Sequence, residues 1–205
     1  MPHTSSNSAA AAMRQLNQQM AAFQGFPLAE SATQIVPGSG AVPASIMLLG
    51  EQPGEQEDLV GQVFIGPAGK LLDKALTEAG IARSDVYITN TLKHYKFKLQ
   101  DKKRVHMVPG RKDIKTYMPW LEREIAIVQP AVIVTLGGVA AQTLAGKELS
   151  LEASRGQILK LENGLRIVPT YHPSFVLRTP DEAMKELRYQ RLVADLALAA
   201  NTADT

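Results

Sequence analysis

The sequence predicts an α/β fold, a three-layer α/β/α sandwich around a mostly parallel four-stranded sheet. Three observations carry this expectation. Short apolar runs alternate along the chain with stretches whose apolar residues recur at helical spacing. Each such run ends at a residue that opens a loop: Gly50, Asn90, Gly137 or Tyr171. The length of 205 residues, 45% hydrophobic and 20% charged, suits one core of this kind.

Residues 1–22 read as an N-terminal extension, partly disordered or helical, because Ala, Ser, Asn and Gln dominate it and a polar helix begins near Ala9. Residues 23–200 then form the domain. Pro and Gly punctuate residues 37–43, and residues 45–50 are a continuous apolar run suited to a buried parallel strand. A loop rich in Gly, Pro and acids follows. Pro67 stands at a helix start, with Leu71, Leu72, Ala75, Leu76 and Ala79 at helical spacing and Gly80 closing it. Residues 86–89 are the second strand. Ile114, Tyr117, Leu121, Ile125 and Val128 mark a helix over 113–129, where Pro119 is a kink or the true first turn. Residues 131–136 are the clearest strand, turned by Gly137 and Gly138 into a helix over 139–145. Residues 166–170 form the fourth strand, and a last helix runs over 180–200. Sites in such sheets lie beyond the carboxyl ends of the strands.

Composition narrows the chemistry. The chain has no cysteine, which excludes disulfides, thiolate catalysis, zinc–thiolate sites and a cysteine-held iron–sulfur cluster. No apolar run approaches the roughly 20 residues of a membrane span, and the start lacks a secretory pattern, so a cytoplasmic, nucleoid-associated protein is expected. The net charge of +2 conceals segregation: residues 93–115 hold nine Lys or Arg against Asp101 and Asp113. With Tyr95 and Phe97 interleaved, that run suits a polyanion, nucleic acid first; the alternative is a solvated basic loop. A phosphate-loop ATPase fails on spacing, since Gly69-Lys70 is followed by Leu71. No histidine pair has helical zinc spacing, and no metal is expected.

Four segments converge at the strand ends. Gly50-Glu-Gln-Pro-Gly54, Phe64-Ile-Gly-Pro-Ala-Gly-Lys-Leu-Leu-Asp73, Thr89-Asn90 and His172-Pro-Ser-Phe-Val-Leu-Arg178 resemble the uracil-DNA glycosylase superfamily, in particular its iron–sulfur, family-four members. With Lys103-Arg-Val-His-Met-Val-Pro109 the chain is similar to the UdgX branch, in which a histidine of an inserted basic loop bonds to the DNA sugar. The resemblance covers residues 26–198. At the family's four cluster-ligand positions this chain has Phe23, Phe26, His94 and Tyr117. That departure implies no cofactor, with the rings packing together where a cluster would sit.

The resemblance implies roles. Phe64 stacks on a flipped uracil, Asn90 reads its edge, and His172 donates to O2 as charge builds on the leaving base. Glu51 stabilises the oxocarbenium-like sugar, and Gln52 departs from the Asp with which several relatives activate water. His106 attacks C1′ in place of water, trapping the protein on DNA. Lys103, Arg104, Ser174, Arg178 and the backbone at Gly66 and Gly69 contact the strand, with Arg104 orienting the loop on phosphate. Uracil-containing DNA, preferably single-stranded, is the expected partner of a monomeric DNA-repair enzyme. Two alternatives stand: a hydrolytic glycosylase with turnover, and a non-catalytic binder of single strands.

Overall fold

The computed structural model describes residues 3–146 and 148–203, so the first two residues of the expected extension lie outside it. Four parallel strands form the centre: β2 (Ile46–Gly50), β3 (Val86–Asn90), β6 (Val132–Leu136) and β8 (Arg166–Thr170). Two-residue antiparallel strands, β1 (Ser39–Gly40) and β7 (Leu159–Lys160), extend the expected four strands to six in the order β1-β3-β2-β6-β8-β7. Both are too short to show a periodicity in the sequence.

Alternate residues of the central strands face opposite layers. Ile46, Leu48, Val86, Ile88, Val132 and Val134 pack against α3 (Pro67–Glu78), α7 (Pro173–Leu177) and α8 (Glu182–Ala203). Met47, Leu49, Tyr87, Ile133 and Ile167 face α1 (His3–Ala22), α4 (Arg111–Val128) and α5 (Gly138–Ala145). The three-layer arrangement is therefore present, with corrections at element ends. α1 begins before Ala9, and its stripe of Met13, Leu16 and Met20 is buried in the second core. α4 starts at Arg111 and runs through Pro119 without ending, and α8 ends three residues later than expected.

Two expected loops are ordered. The acidic one contains α2 (Glu55–Val60), followed after α3 by a 3-10 turn over Arg83–Asp85. The basic one is a hairpin, β4 (Phe97–Gln100) against β5 (Lys103–His106). Its turn residues Asp101 and Lys102 have φ of 49° and 64°, the pairing a two-residue hairpin turn requires. A fourth short helix, α6 (Leu151–Ser154), follows α5. No helix among the described residues is long and apolar enough to cross a membrane.

Candidate active site

Backbone bonds at the strand ends set the site. Gly50 O accepts from Thr91 N at 2.9 Å and Glu51 O from Leu92 N at 3.0 Å, which brings the segment after β2 alongside the end of β3. Gly50 has no Cβ to spare there: one would lie 2.2 Å from Asn90 Oδ1 and 2.8 Å from the Phe64 ring. A cavity of about 720 Å³ opens at this point, lined by Glu51, Gln52, Phe64, Asn90, His106 and His172 together with Ser174 and Arg178. All six residues expected in catalysis or uracil binding thus share one cavity. Gly66, Gly69, Lys103 and Arg104 lie outside its lining.

Phe64 is buried with its backbone in the left-handed region, φ 52°. That conformation costs on the order of 1–3 kcal/mol in a residue with a side chain, and its neighbours hold it. Glu57 Oε1 accepts from Ile65 N at 3.0 Å and Gly66 N at 2.7 Å, while Arg83 donates to the carbonyls of Val63 at 3.2 Å and Phe64 at 3.3 Å. The Gly66 amide, expected to face phosphate, is committed to this internal carboxylate. Gly69 allows two backbones to meet, since a Cβ there would sit 1.9 Å from Phe64 O.

Asn90 is buried, and its Oδ1 has no hydrogen-bond partner among the described residues. His172 precedes α7, and its Nδ1 accepts from Ser174 N at 3.1 Å and Ser174 Oγ at 2.7 Å. Its proton is therefore on Nε2, available as a donor. Burial pushes the imidazole down to about 4, against the pull of Glu51 and with Arg178 and His106 lowering it further. Neutral His172 can stabilise developing negative charge without carrying a full charge of its own. Ser174, expected at phosphate, thus sets this tautomer.

The hairpin carries His106 to the same edge. Gln52 Oε1 accepts from Lys96 N at 3.1 Å, which fixes the direction of its amide. Gln52 Nε2 faces His106 Nδ1 at 3.0 Å, Met107 O at 3.1 Å and Lys96 O at 3.2 Å. With Nδ1 accepting, the His106 proton is on Nε2, which faces Glu51 Oε1 at 3.0 Å. Arg104 turns away from solvent: it donates to Asp58 Oδ2 at 2.8 Å and Thr33 Oγ1 at 3.2 Å, and covers the Phe97 ring at 4.7 Å. The carboxylate of Asp58 is completely buried and also accepts from Thr33 N. Lys96 pairs with Asp113 at 2.6 Å, tying the hairpin to α4. Lys103 and Arg178 are exposed.

Away from the cavity, Phe26 stacks on Tyr117 with centroids 4.6 Å apart and meets Phe23 at 4.9 Å, His94 at 5.1 Å and Trp120 at 5.7 Å. His94 Nδ1 lies 2.8 Å from Tyr117 Oη. Three rings without donor sulfur and an imidazole already hydrogen-bonded do not fit an iron–sulfur cluster. Among the described residues no cluster of His, Asp and Glu could hold a metal.

The sequence pattern did not signal a site role for Glu57, Asp58 or Arg83, and it marked Tyr95 only as an aromatic of the basic run, whereas Glu57 and Tyr95 both line the cavity. Of the first three, only Glu57 left a trace, three residues after Gly54 at a helix start.

The chain is 35% identical over 162 residues to the type-4 uracil-DNA glycosylase of Thermotoga maritima, covering 78% of this chain and 81% of that protein. It is 34% identical to the enzyme of the same name from Pyrobaculum aerophilum, over 75% of this chain and 79% of that one. The corresponding protein of Archaeoglobus fulgidus is 34% identical over 75% of this chain and 77% of its own length. Residues 37–197 match the family model described as the uracil DNA glycosylase superfamily, and the chain belongs to that superfamily.

Proposed function

We propose that this protein is a DNA-repair glycosylase that excises uracil from single-stranded or locally opened DNA and then becomes bonded to the sugar through His106, as in the UdgX branch. The relatives' names support uracil excision. The observation that carries the covalent step is the line Gln52–His106–Glu51, with Gln52 on Nδ1 and Glu51 on Nε2, each at 3.0 Å.

The chemistry follows from those protons. Uracil leaves the stack and lies against Phe64 with its edge at Asn90. As the N1–C1′ bond breaks, its electron pair moves into the base, and the Nε2–H of His172 stabilises the charge forming at O2. Glu51 faces the cationic sugar. His106 then bonds to C1′ through the lone pair of its unprotonated ring nitrogen, while the proton on the other nitrogen, Nε2, passes to Glu51 Oε1. The product is a neutral imidazole alkylated on that nitrogen, with Nε2 left unprotonated beside Glu51. Neutrality makes it a poor leaving group, so the sugar stays attached. No step draws on a cluster, because residues 23, 26, 94 and 117 offer no ligand set.

A second reading is hydrolysis with turnover. It is favoured by the openness of the pair, since the side chains of His106 and Glu51 are 50% and 21% exposed and water can reach the carboxylate. One experiment separates the two. The protein is incubated with a uracil-containing single-stranded oligonucleotide and its thymine counterpart, then resolved by denaturing electrophoresis and mapped by peptide mass. A uracil-dependent, heat-stable adduct on His106 is expected. Free abasic DNA alone establishes turnover, and unchanged oligonucleotides would make the protein a binder only.

A further inference from the structure

Behind Asn90, between the sheet and α4, lies an ion pair with both side chains wholly buried. Lys93 Nζ meets Glu124 Oε2 at 2.5 Å, Thr89 Oγ1 at 2.6 Å and the Asn90 carbonyl at 2.7 Å, which uses all three ammonium protons. Glu124 in turn accepts from Tyr87 Oη at 3.1 Å and from Thr89 Oγ1 at 3.2 Å. Burial of two charges on this scale is often no better for stability than an apolar pair of the same volume. Packing alone therefore does not account for it.

The position does. Lys93 follows Asn90 by three residues, and its side chain folds back so that Nζ reaches the Asn90 carbonyl. Asn90 closes β3, paired on one side with Gly50 but beyond the reach of β1, whose pairing ends at Ile88, and its Oδ1 has no hydrogen-bond partner among the described residues. From the other side, Val36 N donates to Lys93 O at 2.7 Å and holds the Lys93 backbone.

We infer that Lys93, anchored by Glu124, is a positioning residue that fixes Asn90 for base recognition. This rests on the reading of Asn90 as the residue that pairs with uracil. A displacement of about 1 Å at a reacting site is worth as much as 100-fold in rate. The expected loss on releasing the Asn90 carbonyl is about tenfold.

Removing Lys93 alone would strand a buried carboxylate, so the test uses Lys93→Met/Glu124→Gln. The Gln carbonyl still accepts from Tyr87, its amide nitrogen lies where it can replace the ammonium as donor to Thr89 Oγ1, no charge is left uncompensated, and the Asn90 carbonyl loses its donor. Melting temperature checks that the fold is kept. Single-turnover uracil release is then measured for the wild type, this double variant, Asn90→Ala and the triple variant. The inference expects Asn90→Ala to be slow and the double substitution to have no further effect in that background. A double substitution that slows release equally in both backgrounds would overturn the positioning role while leaving Asn90 as the reader. Asn90→Ala with unchanged rate would instead overturn the reading itself, and the inference with it. Those two failures are distinct on the same four proteins.

Discussion

Arg104→Met separates two jobs a cation in a basic hairpin can do. If Arg104 neutralises phosphate, its loss lowers the salt slope of single-strand binding by about 0.7. The structure instead gives it an internal partner, the wholly buried Asp58 carboxylate at 2.8 Å, with the Phe97 face beneath the guanidinium. Breaking such a pair costs about 3–5 kcal/mol when the remaining charge stays buried. Asp58 keeps its bonds from Thr33 N at 3.0 and 3.1 Å, and the hairpin can swing away to admit water, so the realised cost is near the lower end. Most of it falls locally on β4 and β5. We therefore expect Arg104→Met to leave the salt slope unchanged. Amide exchange over 96–107 should rise by two orders of magnitude, the factor about 3 kcal/mol implies, and adduct formation should slow because His106 loses its place beside Glu51. Lys103→Met, exposed and unpaired by geometry, is the control that should lower the slope. Binding isotherms at four salt concentrations and exchange mass spectrometry decide the matter. A reduced slope for Arg104→Met with unaltered exchange would refute the anchoring argument.

Other perturbations test other parts. Phe26→Ala removes a buried ring stacked on Tyr117 and should destabilise the protein by about 3–5 kcal/mol, roughly a 10 °C fall in Tm by calorimetry; Phe23→Ala, with that ring 40% exposed, should cost clearly less. Gln52→Leu takes away the donor on His106 Nδ1, so adduct formation should slow at least tenfold while mass mapping still finds the bond on His106. Burial holds both His94 and His172 down to about 4, below the ordinary 6.5, so the unfolded chain binds more protons between those values. Stability should fall as pH drops through that window, with Asp195, raised by burial, working in the opposite sense. His94→Gln keeps an acceptor for Tyr117 and should flatten the histidine-driven slope by about half in pH-dependent denaturation.

The central strands were legible because each is an unbroken apolar run, and α3 and α4 because their apolar residues keep helical spacing. What escaped the reading had its signal masked. The hairpin alternates Phe97 and Leu99 with lysines, but its turn has no glycine, and the basic residues outweigh the period of two. In α1 the stripe of Met13, Leu16 and Met20 is thin within a polar composition. Asp58 and Glu57 are unmarked in the sequence, since nothing in a linear pattern shows that backbone amides and Arg104 converge on them. The cavity residues were legible as a set because they cluster at strand ends. The direction of each bond was not: Gln52, placed by resemblance beside the catalytic carboxylate, turns its amide to the hairpin because Lys96 presents both a donor and an acceptor there. The packing of Phe23, Phe26 and Tyr117 was anticipated, whereas the addition of Trp120 was not.

The hairpin belongs to neither layer nor sheet. Among the described residues β4 and β5 pair only with each other, and they leave the α/β frame after His94 and rejoin it at α4. In the function proposed above, base selection and the fate of the sugar fall to separate parts: Phe64, Asn90 and His172 belong to the frame, His106 to a ribbon attached to it. In engineering terms it is an exchangeable cartridge: under the proposed chemistry, grafting residues 95–110 onto a turnover enzyme of the same frame should yield a protein that marks each uracil by staying where it acted.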